Sequence, residues 1–187
     1  MRLFVAIDLS DSVKERLEEI ITELKTCRAD VRWVHFDLMH VTLKFLGNVE
    51  PQELVAIDGV LSRIAANTQP AQGRLHNVGS FPHLRRPRVL WIGVETHNGM
   101  LAALHADLDA ALAKLGFSEG IRRFHPHITL GRMRGNRRLS TLREAVEKQS
   151  GHKAEIFKIR HLTLFESRQR HGSTRYTALS THSFEAR

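Results

Sequence analysis

His40-Val41-Thr42-Leu43 and His127-Ile128-Thr129-Leu130 decide the reading of this 187-residue chain. Successive side chains of a strand point to opposite faces, so each histidine shares a face with the threonine two residues on. Val41, Leu43, Ile128 and Leu130 then point into a core. One HxT string on a strand is an ordinary structural occurrence. Two of them, 87 residues apart, are read together because the elements around them recur at the same spacing.

Before the first motif, residues 2–9 are rich in β-formers, and Ser10, Asp11 and Ser12 offer N-cap side chains to a helix. That helix carries Val13, Leu17, Ile20, Ile21 and Leu24 on one face. Residues 39–46 form a strand halted by Gly47-Asn48. Pro51 opens a second helix (Leu54, Ile57, Leu61, Ile64), and 73–80 is a weaker strand. Around the second motif the order repeats. A strand over 88–95 precedes a helix with Leu101, Leu104, Leu108, Leu112 and Leu115; then come strand His127–Met133, helix Leu139–Lys148 and a strand over 155–165. Helix starts near 11 and 98, and near Pro51 and Arg138, keep the offset of 87. Residues 175–184 add a last strand.

The spacing predicts an α+β fold. Two pseudo-twofold-related lobes, each an antiparallel-rich sheet with helices, face each other across a central cleft. They span roughly 1–87 and 88–187 of a single domain, with a strand exchanged between them at the C-terminus. Two copies fall short of a solenoid, which needs about three or more.

Lys and Arg number 28 against 20 Asp and Glu, a formal charge of +8. The length suffices for a sizeable core. The lone Cys27 excludes an internal disulfide framework and a multi-cysteine zinc site, and fits a reducing compartment. No stretch approaches the roughly 18 apolar residues of a membrane span. The opening MRLFVAIDLS reads as a strand rather than a signal peptide. A soluble, cytoplasmic monomer with no membrane partner is expected.

The positive charge is concentrated. Between Glu119 and Glu144 there is no acidic residue, while Arg122, Arg123, Arg132, Arg134, Arg137, Arg138 and Arg143 fall there; Arg85, Arg86 and Arg88 form a second knot. Such a run is either a solvated surface or a rim facing phosphate, whose oxygens match the guanidinium fork.

With these landmarks the chain resembles the two-histidine (2H) phosphoesterase superfamily, and within it the RNA 2′,3′-cyclic phosphodiesterases, also called the 2′-5′ RNA ligase family. The matching stretches are MRLFVAIDL, RWV…HVTLKFLGNV (32–49), HPHITLGR (125–132) and LTLFESR…RYTAL. The resemblance implies a basic cleft and metal-independent opening of a terminal RNA 2′,3′-cyclic phosphate to a 2′-phosphate. It also implies reversible 2′-5′ ligation in some members, with RNA ends or small cyclic nucleotides as partners and no cofactor. By the same resemblance, His40 is the proton donor and His127 the acceptor. The residues' own symmetry leaves those two roles interchangeable.

The chemistry suits the residues. Opening a cyclic phosphodiester needs a base for water and an acid for the leaving oxygen, and imidazole titrates in the range that serves either. Thr42, Thr129 and Arg132 are the expected phosphate ligands. His161-Leu162-Thr163-Leu164 is a third HxTL string, outside the repeat register and read as incidental. His76, His83, His97, His105, His152, His171 and His182 are read as surface residues, and Phe45 and Trp33 as core; Tyr176 is read as packing or a base-stacking ring. Two rivals remain at this stage. One is a non-catalytic RNA- or nucleotide-binding module, which needs the arginines but not two matched imidazoles. The other is a metal-dependent hydrolase using His125, His127 and His161.

Overall fold

Val41, Leu43, Ile128 and Leu130 are at most 3% exposed, and their burial puts the two motif strands at the middle of one sheet. The computed structural model describes residues 1–120, 123–149, 155–170 and 172–185. The strands are β1 (Arg2–Asp8), β2 (Val31–Trp33), β3 (His40–Asn48), β4 (Ala71–Phe81), β5 (Val89–Thr96), β6 (His127–Met133), β7 (Ile156–Ile159), β8 (His161–Arg170) and β9 (Ser173–Ser183). The helices are α1 (Asp11–Lys25), α2 (Leu54–Ala66), α3 (Met100–Ala113) and α4 (Leu139–Lys148). The sheet runs β7-β4-β5-β6-β3-β1-β8-β9, with β2 added to β6, and every pairing is antiparallel.

The two halves therefore belong to one continuous sheet. β6-β5-β4-β7 and β3-β1-β8-β9 meet where Val41 stands opposite Ile128. The sheet halves do not coincide with the halves of the sequence. β4, from the first half of the chain, pairs β5, while β8, from the second, pairs β1. α1 and α3 begin at Asp11 and Met100, and α2 and α4 at Leu54 and Leu139. Those starts are 89 and 85 residues apart, so the loops absorb what the motif strands keep constant.

The strand expected over 155–165 is two strands. β7 and β8 separate at Arg160 and go to opposite halves, β7 to β4 and β8 to β1 and β9. An apolar run of β period conceals such a break, because both pieces carry the same pattern. α3 ends before Leu115, which is 37% exposed instead of completing the helix stripe. Ser10 takes the N-cap place of α1, but its hydroxyl meets Ser12 Oγ at 3.0 Å rather than capping.

The helix stripes and the inward strand residues form one core cluster. α2 packs on α3 and α1 on α4. Each fully buried Leu or Ile contributes about 1.5–3 kcal/mol. Ile128→Ala, at a wholly buried site between the two motif strands, would cost about 2–5 kcal/mol. Among the described residues no helix is long and apolar enough to cross a membrane.

Candidate active site

A bulge follows each motif at the same place. Thr42 pairs Ala6 and Lys44 pairs Val5, so Leu43 is skipped; Thr129 pairs Trp91 and Gly131 pairs Leu90, so Leu130 is skipped. An extra residue reverses the alternation beyond it. Phe45 and Arg132 are thereby turned to the face that carries the histidines. Phe45, expected in the core, is 71% exposed, and Lys44 lies buried in its stead. Lys44 is ion-paired with Asp109 and donates to the Ser118 carbonyl at 2.6 Å, so its charge is satisfied. Trp33 is half-buried against the core.

The two imidazoles are held alike. His40 Nδ1 lies 2.9 Å from the Leu38 carbonyl, and His127 Nδ1 lies 2.6 Å from the His125 carbonyl. A carbonyl only accepts, so Nδ1 carries the proton in both rings and Nε2 is the nitrogen left for chemistry. The Thr42 hydroxyl is 2.9 Å from His40 Nε2 and donates to it while that ring is neutral. With Val41 opposite Ile128, the antiparallel register sets His40 towards Thr129 and Thr42 towards His127. All four side chains thus share one face, where charge on His127 disfavours charge on His40.

Burial pushes both imidazoles towards the neutral form, and it pushes His40 down to about 4. The Phe4 and Tyr176 rings, 4.8 and 5.3 Å from the His40 ring, are the apolar neighbours responsible. The Leu38 carbonyl and Asp8, directly opposite on β1, act against that shift. His127 stands opposite Gly93, and both Arg132 and His125 add to the lowering of its pKa. Tyr176 is raised by burial, with Arg132 and Arg2 opposing, so Arg132 lies within electrostatic reach of both sides of the cleft.

Behind His127, Trp91 lies flat on the sheet over Gly79. A Cβ there would sit 2.5 Å from the indole, so only glycine admits this ring. Phe81 meets His127 edge-on at 5.0 Å. Phe81 and His125 also line an open pocket of about 920 Å³ shared with Glu95, Arg123, Phe124 and Pro126.

The face thus gathers His40, Thr42, His127, Thr129 and Arg132. Other sequence expectations fall elsewhere. His161 begins β8, in the other half of the sheet from His125 and His127, and Thr163 is buried with its hydroxyl 3.2 Å from Thr181 Oγ. Among the described residues no three His, Cys, Asp or Glu are grouped to hold a metal ion. His105 and His182, expected at the surface, are half-buried. His105 bonds the Leu43 carbonyl at 2.8 Å, and His182 meets Asp58 at 3.0 Å. Arg122, His152 and His171 lie outside the described residues. Sequence reading missed Asp8, Leu38 and Phe4. The acidic end of the MRLFVAIDL strand was the available signal for Asp8, but its use required the β1–β3 register.

Comparison with known proteins gives this geometry its relatives. The profile of the 2′-5′ RNA ligase superfamily matches residues 10–171. The RNA 2′,3′-cyclic phosphodiesterase of Methanocaldococcus jannaschii is 30% identical over 167 residues, covering 89% of this chain and 91% of that protein. A protein of the same name from Thermotoga maritima is 37% identical over 134 residues, 72% of this chain and 71% of its own. Among solved structures, TT0787 of Thermus thermophilus superposes with a TM-score of 0.80 at 26% identity, over 98% of each chain. E. coli LigT complexed with 3′-AMP does so with a TM-score of 0.75 at 29% identity, over 99% of this chain and 98% of that one.

Proposed function

The chain belongs to the 2′-5′ RNA ligase superfamily, and from that premise we propose that it is an RNA 2′,3′-cyclic phosphodiesterase whose two imidazoles perform the reaction. The observation that carries this reading is the matched anchoring of His40 and His127 through Nδ1 on the two central strands, which turns both Nε2 atoms to one face, that of His40 beside the Thr42 hydroxyl.

In the proposed reaction His127 Nε2 takes a proton from water as the oxygen attacks phosphorus. The bond from phosphorus to the 3′ oxygen breaks, and His40 Nε2 gives that oxygen its proton. The product is a 2′-phosphomonoester; His40 ends neutral and His127 charged, and exchange with solvent resets both. Fixed charges favour this division of roles. Asp8 supports a proton on His40, whereas Arg132 and His125 keep His127 neutral. Burial favours the neutral form of His40, and a bound phosphate anion supplies the negative charge that raises its pKa. The Thr42 and Thr129 hydroxyls and Arg132 donate to the non-bridging oxygens as charge builds there. No cofactor enters these steps, and a monomer suffices because both histidines come from one chain. A 5′-hydroxyl of a second RNA in place of water gives a 2′-5′ phosphodiester by the same proton transfers, which is the ligase reaction.

The test is incubation in EDTA with RNA ending in a 2′,3′-cyclic phosphate, with and without a 5′-hydroxyl acceptor. A 2′-phosphate product is expected. Binding without turnover would replace this reading with that of a non-catalytic RNA module, and loss of activity on chelation would overturn the metal-free mechanism.

A further inference from the structure

Lys44 is a buried cation that the proposed reaction does not use. It follows the skipped Leu43 of the β3 bulge and is 5% exposed, turned away from the face that carries the histidines and towards α3. Its counterpart 87 residues on, following the skipped Leu130, is Gly131. A Cβ there would meet Val31 Cγ1 at 2.6 Å, so β2 leaves no room for a side chain. The shared bulge therefore does not call for a lysine; the first half alone carries one.

A buried amine is costly unless charge and hydrogen bonds meet it, and an apolar pair of similar volume often serves stability as well. What the polar pair adds is a fixed geometry. Lys44 is ion-paired with Asp109 of α3 and donates to the Ser118 carbonyl at 2.6 Å. The Asp109 carboxylate accepts in turn from Gly120 N, at 2.9 Å to Oδ2. One turn earlier on α3, His105 Nδ1 donates to the Leu43 carbonyl at 2.8 Å, and the His105 ring stacks on Phe124 at 4.2 Å.

Ser118, Gly120 and Phe124 all lie in the loop that joins α3 to β6. That loop leaves α3 with Phe117 N bonded to the Leu112 carbonyl, and it meets the sheet where Val94 N bonds the Pro126 carbonyl at 3.0 Å. Between these two ends Lys44 holds the Ser118 carbonyl and Asp109 holds Gly120 N. The same loop presents the His125 carbonyl that anchors His127 Nδ1 at 2.6 Å.

We propose that Lys44 and Asp109 are positioning residues for His127: the strand that carries the proposed acid grips, with α3, the loop that carries the anchor of the proposed base. The proposal rests on the catalytic reading above and adds the residues that keep the two imidazoles in place relative to each other. With the grip released, the His125 carbonyl shifts and His127 loses part of the burial that keeps it neutral. A displacement of about 1 Å at a catalytic group can cost about 10²-fold in rate. His40 keeps its Leu38 carbonyl and its aromatic neighbours, so its proton equilibrium stays.

The experiment compares wild type with Lys44→Met/Asp109→Leu, which removes both charges together and strands neither. Asp109→Asn, which keeps an acceptor for Gly120 N, is the milder variant. The readouts are kcat and KM across pH on RNA ending in a 2′,3′-cyclic phosphate, the urea midpoint, and the titration of each imidazole by NMR. The double variant should keep its urea midpoint and KM close to wild type, while kcat falls about 10–10²-fold. The His127 titration and the acidic limb of kcat should move to higher pH, and the His40 titration should stay. Asp109→Asn should change the same quantities in the same direction by less. Unchanged kcat and His127 titration in the double variant would overturn the positioning role, and so would equal shifts of both imidazoles. Absence of turnover in wild type would instead overturn the catalytic reading, with the NMR titration still reporting on the grip.

Discussion

Asp8 stands across from His40, and Gly93 stands across from His127. The two sites share a strand, a bulge and an Nδ1 anchor, yet their neighbours differ in sign. His40 has a carboxylate opposite and the Phe4 and Tyr176 rings around it; His127 has Arg132, His125 and the Trp91 and Phe81 rings. The backbone repeat supplies two equivalent positions on the cleft face. Side chains outside the motif give the two positions opposite electrostatic surroundings, and the proposed mechanism assigns proton donation to one and proton acceptance to the other on that difference. On that reading a duplicated fold yields an asymmetric acid–base pair by changes across the strand and beyond the bulge.

The largest effect expected from breaking this pairing is loss of either imidazole. His40→Ala and His127→Ala should each lower kcat about 10²–10⁴-fold. The residual pH profiles separate the roles. Without the acid, only the rising acidic limb set by His127 should remain; without the base, only the falling alkaline limb set by His40. The reverse pattern would exchange the two assignments.

How much of this was legible without coordinates follows from where the information lies. The HxT strings, their common face and their 87-residue spacing are local, and period-2 alternation suffices to read them. The exposure of Phe45 was not legible, because a bulge is a mismatch of count between two strands and leaves no mark on β3 alone. Asp8 as the neighbour of His40 depends on the same register. The carbonyl anchors at Leu38 and His125 belong to backbone atoms that every residue has, so no side-chain pattern announces them. The parting of β7 from β8 at Arg160 is a choice between two sheet edges, which only the assembled sheet presents.

Smaller effects sharpen the comparison through charge. Asp8→Asn removes the carboxylate opposite His40 and leaves Lys14 without its 3.2 Å partner, both of which lower the His40 pKa. The alkaline limb of kcat should move to lower pH, with a loss of about tenfold near pH 8 for a shift of about one unit. Arg132→Gln removes a cation near His127 and raises its pKa, so the acidic limb should move to higher pH. An unmoved limb in both variants would show that fixed charge does not distinguish the two imidazoles.

The smallest effect is on stability, and its sign follows from burial. His40 has a pKa of about 4 in the folded protein against 6.5 in the unfolded chain, so the unfolded state binds more protons between those values. Stability is then fully present above pH 6.5 and is lost as pH falls towards 4, by about 1 kcal/mol at pH 6 from this residue. His127 is shifted in the same direction and adds to the loss. Asparagine keeps a polar side chain at position 40 but cannot titrate. The fall in urea midpoint between pH 7 and pH 6 should therefore shrink in His40→Asn, and shrink less in His127→Asn, whose imidazole is the less protected of the two. Identical pH slopes in wild type and His40→Asn would mean that the aromatic wall around His40 does not hold it neutral, and the asymmetry between the halves would then rest on Asp8 and Arg132 alone.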